Sequence, residues 1–97
     1  MHPESADNFE WDEHNESKLI GHGVQPWEVE EVFDNEPVWA LNKNHASGDW
    51  LMVGRTNGGR ALKIVITVIA DQRAIRPITG WDCSTGDLTR YFKKGRK

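Results

Sequence analysis

The sequence predicts an α+β domain, with helices towards both ends of the chain and a block of strands between them. Three observations predict this class. Apolar side chains recur at three- and four-residue spacing between Asp12 and Asn35, and again after Ser84. From Pro37 to Asp82 the pattern changes to short runs rich in β-branched and aromatic residues. Turn-forming residues, Asn57-Gly58-Gly59 among them, separate those runs. A chain of 97 residues holds one core of this kind and is too short for two.

Taken in order, residues 1–8 read MHPESADN and have neither the basic region nor the apolar run of a signal peptide. They are expected as a disordered leader to a single domain over 9–97. Phe9-Glu10-Trp11 reads as a short strand. Asp12 is an N-cap for a helix running to about Ile20, closed by the glycines of GHG. Pro26 suits the first turn of a second helix, and Val24 can staple onto Val29. Val29, Val32 and Phe33 form its apolar stripe, leaving Glu28, Glu30 and Glu31 on a solvated face where they complement the helix dipole. The segments PVWALNK, DWLMVGRT, RALKIVITVI and RAIRPITGWD predict a four-stranded antiparallel meander. Ser84 then caps a final helix, STGDLTRYFKK, with Leu88, Tyr91 and Phe92 as its apolar stripe.

Strand parity assigns the faces. An Asn57-Gly58 two-residue turn sets Arg55 across from Arg60. One face then holds Leu51, Val53, Leu62, Ile64, Ile66 and Val68, and an Asp71-Gln72 turn adds Ile75, Pro77 and Trp81. This apolar face is the one the helices should cover. The other holds Trp50, Met52, Lys63, Val65, Thr67, Arg76, Ile78 and Asp82, and is expected to be open. Two arginines directly opposite each other are unfavourable unless an anion lies between them. Pairing with helix acids such as Glu30 or Asp34 is the alternative.

The net charge of −3 conceals a division. Residues 1–36 carry eleven acidic side chains and one lysine, whereas residues 37–97 carry four acidic and eleven basic ones. Such a split fits a two-faced molecule with a basic surface for a polyanion. The longest apolar run, Ile64 to Ala70, is far below the roughly 20 residues of a membrane helix. A single cysteine, Cys83, excludes an internal disulfide, and a cytoplasmic location is expected. His2, His14, His22 and His45 lack metal-ligand spacing, so no metal or cofactor is expected. The candidates that remain are cationic: Arg55, Arg60, Lys63, Arg73, Arg76, Arg90 and the KKGRK tail. Trp50 and Trp81 are candidates for stacking on a base. His22 is a capping or packing residue, or a general base with a pKa near neutrality.

Three stretches, FEWDEHNESKLIGHGVQPWEVEEVF, VGRTNGGRALKIVI and IRPITGWDCSTGDLTRYFKKG, resemble in order and spacing the BrnT family of bacterial type II toxins. The marks are W-D-x-x-N, HGV before an E-E-V helix, G-R-T-x-x-G-R, and R-x-I-T-x-W-D before a Tyr-containing helix. Together they cover residues 9 to about 95. The resemblance implies a RelE/ParE-like fold and a metal-independent ribonuclease that arrests growth. It also implies a co-transcribed antitoxin, of ribbon-helix-helix type, that covers the site. Carried onto this sequence, RNA handling would fall to Arg55, Arg60 and Arg76 with Lys63 beside them. Arg55, Arg76 and His22 are the catalytic candidates; Arg60, Lys63, Trp50 and Arg73 are the RNA-binding ones. The second reading is a catalytically weak or inactive module that keeps the toxin fold and binds a protein partner. Its working surface would be the acidic helix faces and exposed tryptophans.

Overall fold

A computed structural model describes residues 1–43 and 49–93. After a 3₁₀ turn at Pro3–Ser5 come β1 (Asn8–Phe9), α1 (Glu13–Gly21) and α2 (Pro26–Asp34). Then follow β2 (Val38–Leu41), β3 (Trp50–Arg55), β4 (Ala61–Ile69), β5 (Ala74–Asp82) and α3 (Thr85–Leu88). The chain continues from α3 as a π-helical turn at Thr89–Lys93. The strands lie in the order β1-β5-β4-β3-β2, antiparallel except that β1 runs parallel to β5. The α+β class is as expected, but the sheet is five-stranded and mixed rather than a four-stranded meander. His45 and the end of the KKGRK tail lie outside the described residues.

Residues 1–8 are not a disordered leader. The N–H groups of Asp7 and Asn8 donate to Arg73 O at 2.8 and 3.3 Å, which starts the β1–β5 ladder. Pro3 is buried, and His2 packs its ring 4.8 Å from Trp50. These contacts tie down a segment whose composition alone gave no reason for order.

Asp12 caps α1 in a reciprocal arrangement with Asn15. Its side chain accepts from Asn15 N at 3.1 Å, and Asn15 Oδ1 accepts from Asp12 N at 2.8 Å. The Asn15 amide nitrogen then donates to Glu10 O at 2.9 Å and to Pro77 O at 2.8 Å. Asn15 is fully buried, so each bond has replaced water. Pro26 opens α2 as expected, and Val24 and Val29 on either side of its start are both buried.

Leu19 of α1, Val29 and Val32 of α2, and Met52, Leu62, Ile64, Ile66 and Ile75 of the sheet make the core. Helix α1 comes so close to β5 that a Cβ on Gly80 would lie 3.3 Å from Leu19 Cδ2 and 2.5 Å from Ile64 Cδ1. The face assignment for β3 differs from expectation. The hairpin closes through three residues, Asn57-Gly58-Gly59, with Thr56 N donating to Arg60 O and Gly59 at φ +95°. Arg55 therefore pairs with Ala61, not Arg60, and every β3 side chain changes face. Met52 and Trp50 join the α1/α2 side, while Leu51 and Val53 share the far side with Val65 and Lys63.

A second shift lies in β5. A bulge between Val65 and Ile66 lets Val65 pair with Thr79 and Ile66 with Pro77, so Ile78 has no partner. Ile75 and Pro77 keep their expected register, whereas Trp81 now pairs with Lys63 and Asp82 with Leu62. The sheet's far side is not open either. Asp87 of α3 meets Lys63, Phe92 lies beside Arg55, and Val53, Val65 and Thr79 are buried.

Replacing Asn15 with Ala should cost about 3 kcal/mol, because the Pro77 and Glu10 carbonyls and the Asp12 N–H lose the amide that bonds them. Urea unfolding followed by tryptophan fluorescence measures this, with an unchanged m-value expected.

Candidate nucleic-acid interface

Four of the cations that the sequence singled out are already held by carboxylates. Arg60 leaves the hairpin loop and is clamped on two sides. Its Nε and Nη2 donate to Asp82 at 2.8 and 3.2 Å, and Nη1 donates to both oxygens of Glu28 at 2.8 and 3.0 Å. Pairing with an acid of the helix is as expected for Arg60, though the residue is Glu28 rather than Glu30 or Asp34, and Asp82 of β5 joins it. Glu28 was expected on a solvated face, yet it is only 8% exposed. It also caps α2 by accepting from Gln25 N at 3.0 Å. A buried carboxylate needs a partner of this kind. The Asp82 hydrogen bonds, then Glu28, raise the Arg60 pKa further above the usual guanidinium range.

Arg76 sits beside the start of α1, bonded to Asp12 at 3.0 and 3.3 Å and to Glu10 at 3.1 Å. The Asp12 bonds, joined by those to Glu10, hold its charge. Arg73 adopts the left-handed conformation, φ 51°, and donates to Asp7 at 2.6 Å and Ser5 O at 3.0 Å. It fastens the N-terminal segment. Lys63 reaches Asp87 at 3.1 Å. That carboxylate also caps α3 by accepting from Ser84 N at 2.9 Å. These ion pairs connect elements far apart in sequence, and they leave little charge for an added phosphate.

The remaining candidates are dispersed. His22 is the C-cap of α1, with Trp81 edge-on at 5.7 Å and no carboxylate partner among the described residues. Trp50 packs in part against the core, with the His2 ring tilted against it at 4.8 Å. Trp81 remains 40% exposed. Cys83 is half-buried, and burial, followed by the negative charge of Asp87, pushes its thiol up to about 11. It is therefore a thiol at neutral pH and a poor nucleophile.

Arg55 behaves differently. Among the described residues it has no carboxylate partner; Nη1 donates to Gly59 O at 3.0 Å, and the guanidinium lies 4.7 Å from the Phe92 ring centroid. Around the same C-terminal turn, Arg90 lies against the Tyr91 ring at 5.9 Å. A groove of about 620 Å³ runs between that turn and β2–β3, lined by Leu41, Lys43, Leu51, Arg90 and Tyr91 among others. Lys43 and Arg90 also have no carboxylate partner among the described residues. Three cations without a carboxylate partner among the described residues, Arg55, Lys43 and Arg90, thus lie around the C-terminal turn with two aromatic rings, whereas a further exposed and unpaired one, Lys18, stands on α1. Sequence reading included Arg90 in the basic set but gave it no role, and it passed over Lys43. The signal was only partial: both come from the basic half, but Arg90 has Asp87 three residues before it, and only the structure shows that carboxylate taken by Lys63 and the α3 cap.

No protein-family model matches the chain, and no curated protein matches it. Among the described residues no helix is long and apolar enough to cross a membrane, and no three His, Cys, Asp or Glu side chains are grouped to hold a metal ion.

Stability should fall in acid with a definite sign. Arg76 holds the Asp12 carboxyl below its ordinary value, and Arg60 does the same for Asp82. Both aspartates bind protons more readily when unfolded, so their contribution is complete above about pH 4 and lost as pH falls through the lower folded values. Arg60→Met should flatten this acid limb and cost about 2 kcal/mol at pH 7, the buried-pair penalty being reduced by the partial exposure of Arg60. Urea titrations across pH 2–7 measure both effects.

Proposed function

We propose that the chain is an RNA-directed toxin of a type II toxin–antitoxin pair, which engages single-stranded RNA along its C-terminal turn and cuts it without a metal. One observation carries this reading. Arg55, Lys43 and Arg90, cations without carboxylate partners among the described residues, collect beside Tyr91 and Phe92. Phosphates and stacked bases require this combination. The sequence resemblance supplies the reaction class. In metal-free cleavage the ribose 2′-oxygen loses its proton and attacks phosphorus, the bond to the 5′-oxygen breaks, and a 2′,3′-cyclic phosphate remains. Arg55 is the guanidinium available to meet the charge that develops on the phosphoryl oxygens. Arg60 and Arg76, occupied by carboxylates, serve as struts in this account.

A second reading has its own support. The same neutralisation of Arg60 and Arg76 favours a non-catalytic module that retains the fold to bind a protein partner.

Arg55→Ala/Arg90→Ala should weaken binding to a fluorescent single-stranded RNA about tenfold and lower the salt dependence of log K by roughly 1.4, as expected for two lost phosphate contacts. The same variant should lose RNA cleavage in EDTA and growth arrest on expression. Arg76→Ala should act mainly through stability. Wild-type protein, shown to be folded, that leaves total RNA intact in EDTA would favour the partner-binding module.

A further inference from the structure

A second groove, of about 360 Å³, lies at the other end of the charge division, between the 3₁₀ turn, the end of α2 and the start of β2. Its walls include the rings of Phe33 and Trp39, set edge to face at 6.2 Å, and the carboxylates of Glu4, Asp34 and Glu36. These three acids are exposed, and among the described residues none is paired with a cation. Nearby Arg73 and Arg76 are already taken by Asp7, Glu10 and Asp12.

The strand that carries Trp39 adds an independent feature. β2 ends the sheet order and pairs only with β3, so among the described residues no strand pairs with its outer edge. Both of its end residues are exposed, Val38 at 38% and Leu41 at 61%. An open edge with apolar side chains is a template for an added strand. Aromatic faces next to uncompensated carboxylates attract guanidinium and ammonium groups.

We infer that this groove and the β2 edge together form a docking site for an extended, arginine- or lysine-bearing segment of a protein partner. The backbone of that segment adds to β2, and a cationic side chain enters between Trp39 and the carboxylates. The acidic groove shares no lining residue with the RNA groove at the C-terminal turn, although Leu41 at the end of β2 lines the latter, and the inference does not depend on RNA cleavage.

The test uses the full chain and a short peptide alternating arginine and valine, with binding read by tryptophan fluorescence and backbone hydrogen exchange. Wild-type protein should bind in a salt-sensitive manner, with slowed exchange of β2 amides. Glu4→Gln/Asp34→Asn/Glu36→Gln, which changes charge without removing packing, should bind roughly tenfold more weakly. A glutamate–valine peptide should not bind. Equal binding to the neutralised variant would overturn the charge assignment. Spermidine binding as tightly as the peptide, or β2 amides that exchange no more slowly, would overturn the added strand. Arg55→Ala/Arg90→Ala should retain peptide binding, so failure of the RNA reading and failure of this one give different patterns.

Discussion

The placement of α1 depends on the side-chain amide of Asn15. Fully buried, it closes the N-terminal cap with Asp12 and holds the carbonyls of Glu10 and Pro77 from one nitrogen. An amide carries two donors and an acceptor in a fixed plane, and here each of the three directions meets a main-chain group. No other side chain of that length reproduces the set, because a carboxylate has no donor and leucine has no polar atom. The bond to Pro77 is the one that couples helix to sheet. It fixes α1 over β5 at the separation that Gly80 permits.

Two charged corners extend this arrangement. At one, Asp12 Oδ1 accepts from both Asn15 N and Arg76 while Oδ2 accepts from Arg76, so a local cap and a long-range ion pair share one carboxylate. At the other, Arg60 joins α2, the hairpin loop and the end of β5 through Glu28 and Asp82. Acidic first half and basic second half are thus partly reconciled inside the fold. Two groups of side chains stay outside these pairs. Arg55, Lys43 and Arg90 remain near the C-terminal turn, and Glu4, Asp34 and Glu36 near the far end of α2.

Much of the architecture was legible because its causes are local. Asp12 and Ser84 announce helix starts, Pro26 opens α2, and β-branched runs mark the strands. The sheet faces were less legible because parity propagates a single-residue error along a whole strand. The N-G-G sequence is compatible with two- and three-residue loops, and the choice is made by Thr56, whose hydroxyl accepts from Arg60 N at 3.1 Å. The bulge at Ile78 is hinted at only by Pro77, which cannot donate to the ladder of an internal strand, and that hint does not give the size or direction of the shift of Trp81 and Asp82. Site reading erred for a related reason. A basic residue in a sequence looks available, but Arg60, Lys63, Arg73 and Arg76 each meet an acid contributed by a distant element. Arg55 was singled out correctly as a cation at the hairpin mouth, though the feature beside it is Phe92 rather than a second arginine.

The parallel pairing of β1 with β5 has a consequence for how the chain is made. Asn15 waits for a partner 62 positions later, Asp12 for one at 64 and Asp7 for one at 66. At roughly 5–20 residues per second a ribosome needs several seconds to deliver them. During that interval α1 can form its own cap, but it has no sheet to lie on. The segment synthesised first is therefore among the last to be fixed. Such long sequence separations slow folding, because loop closure must precede the contacts that reward it. Until β5 emerges, Asp7, Glu10 and Asp12 lack the arginines that neutralise them in the folded chain.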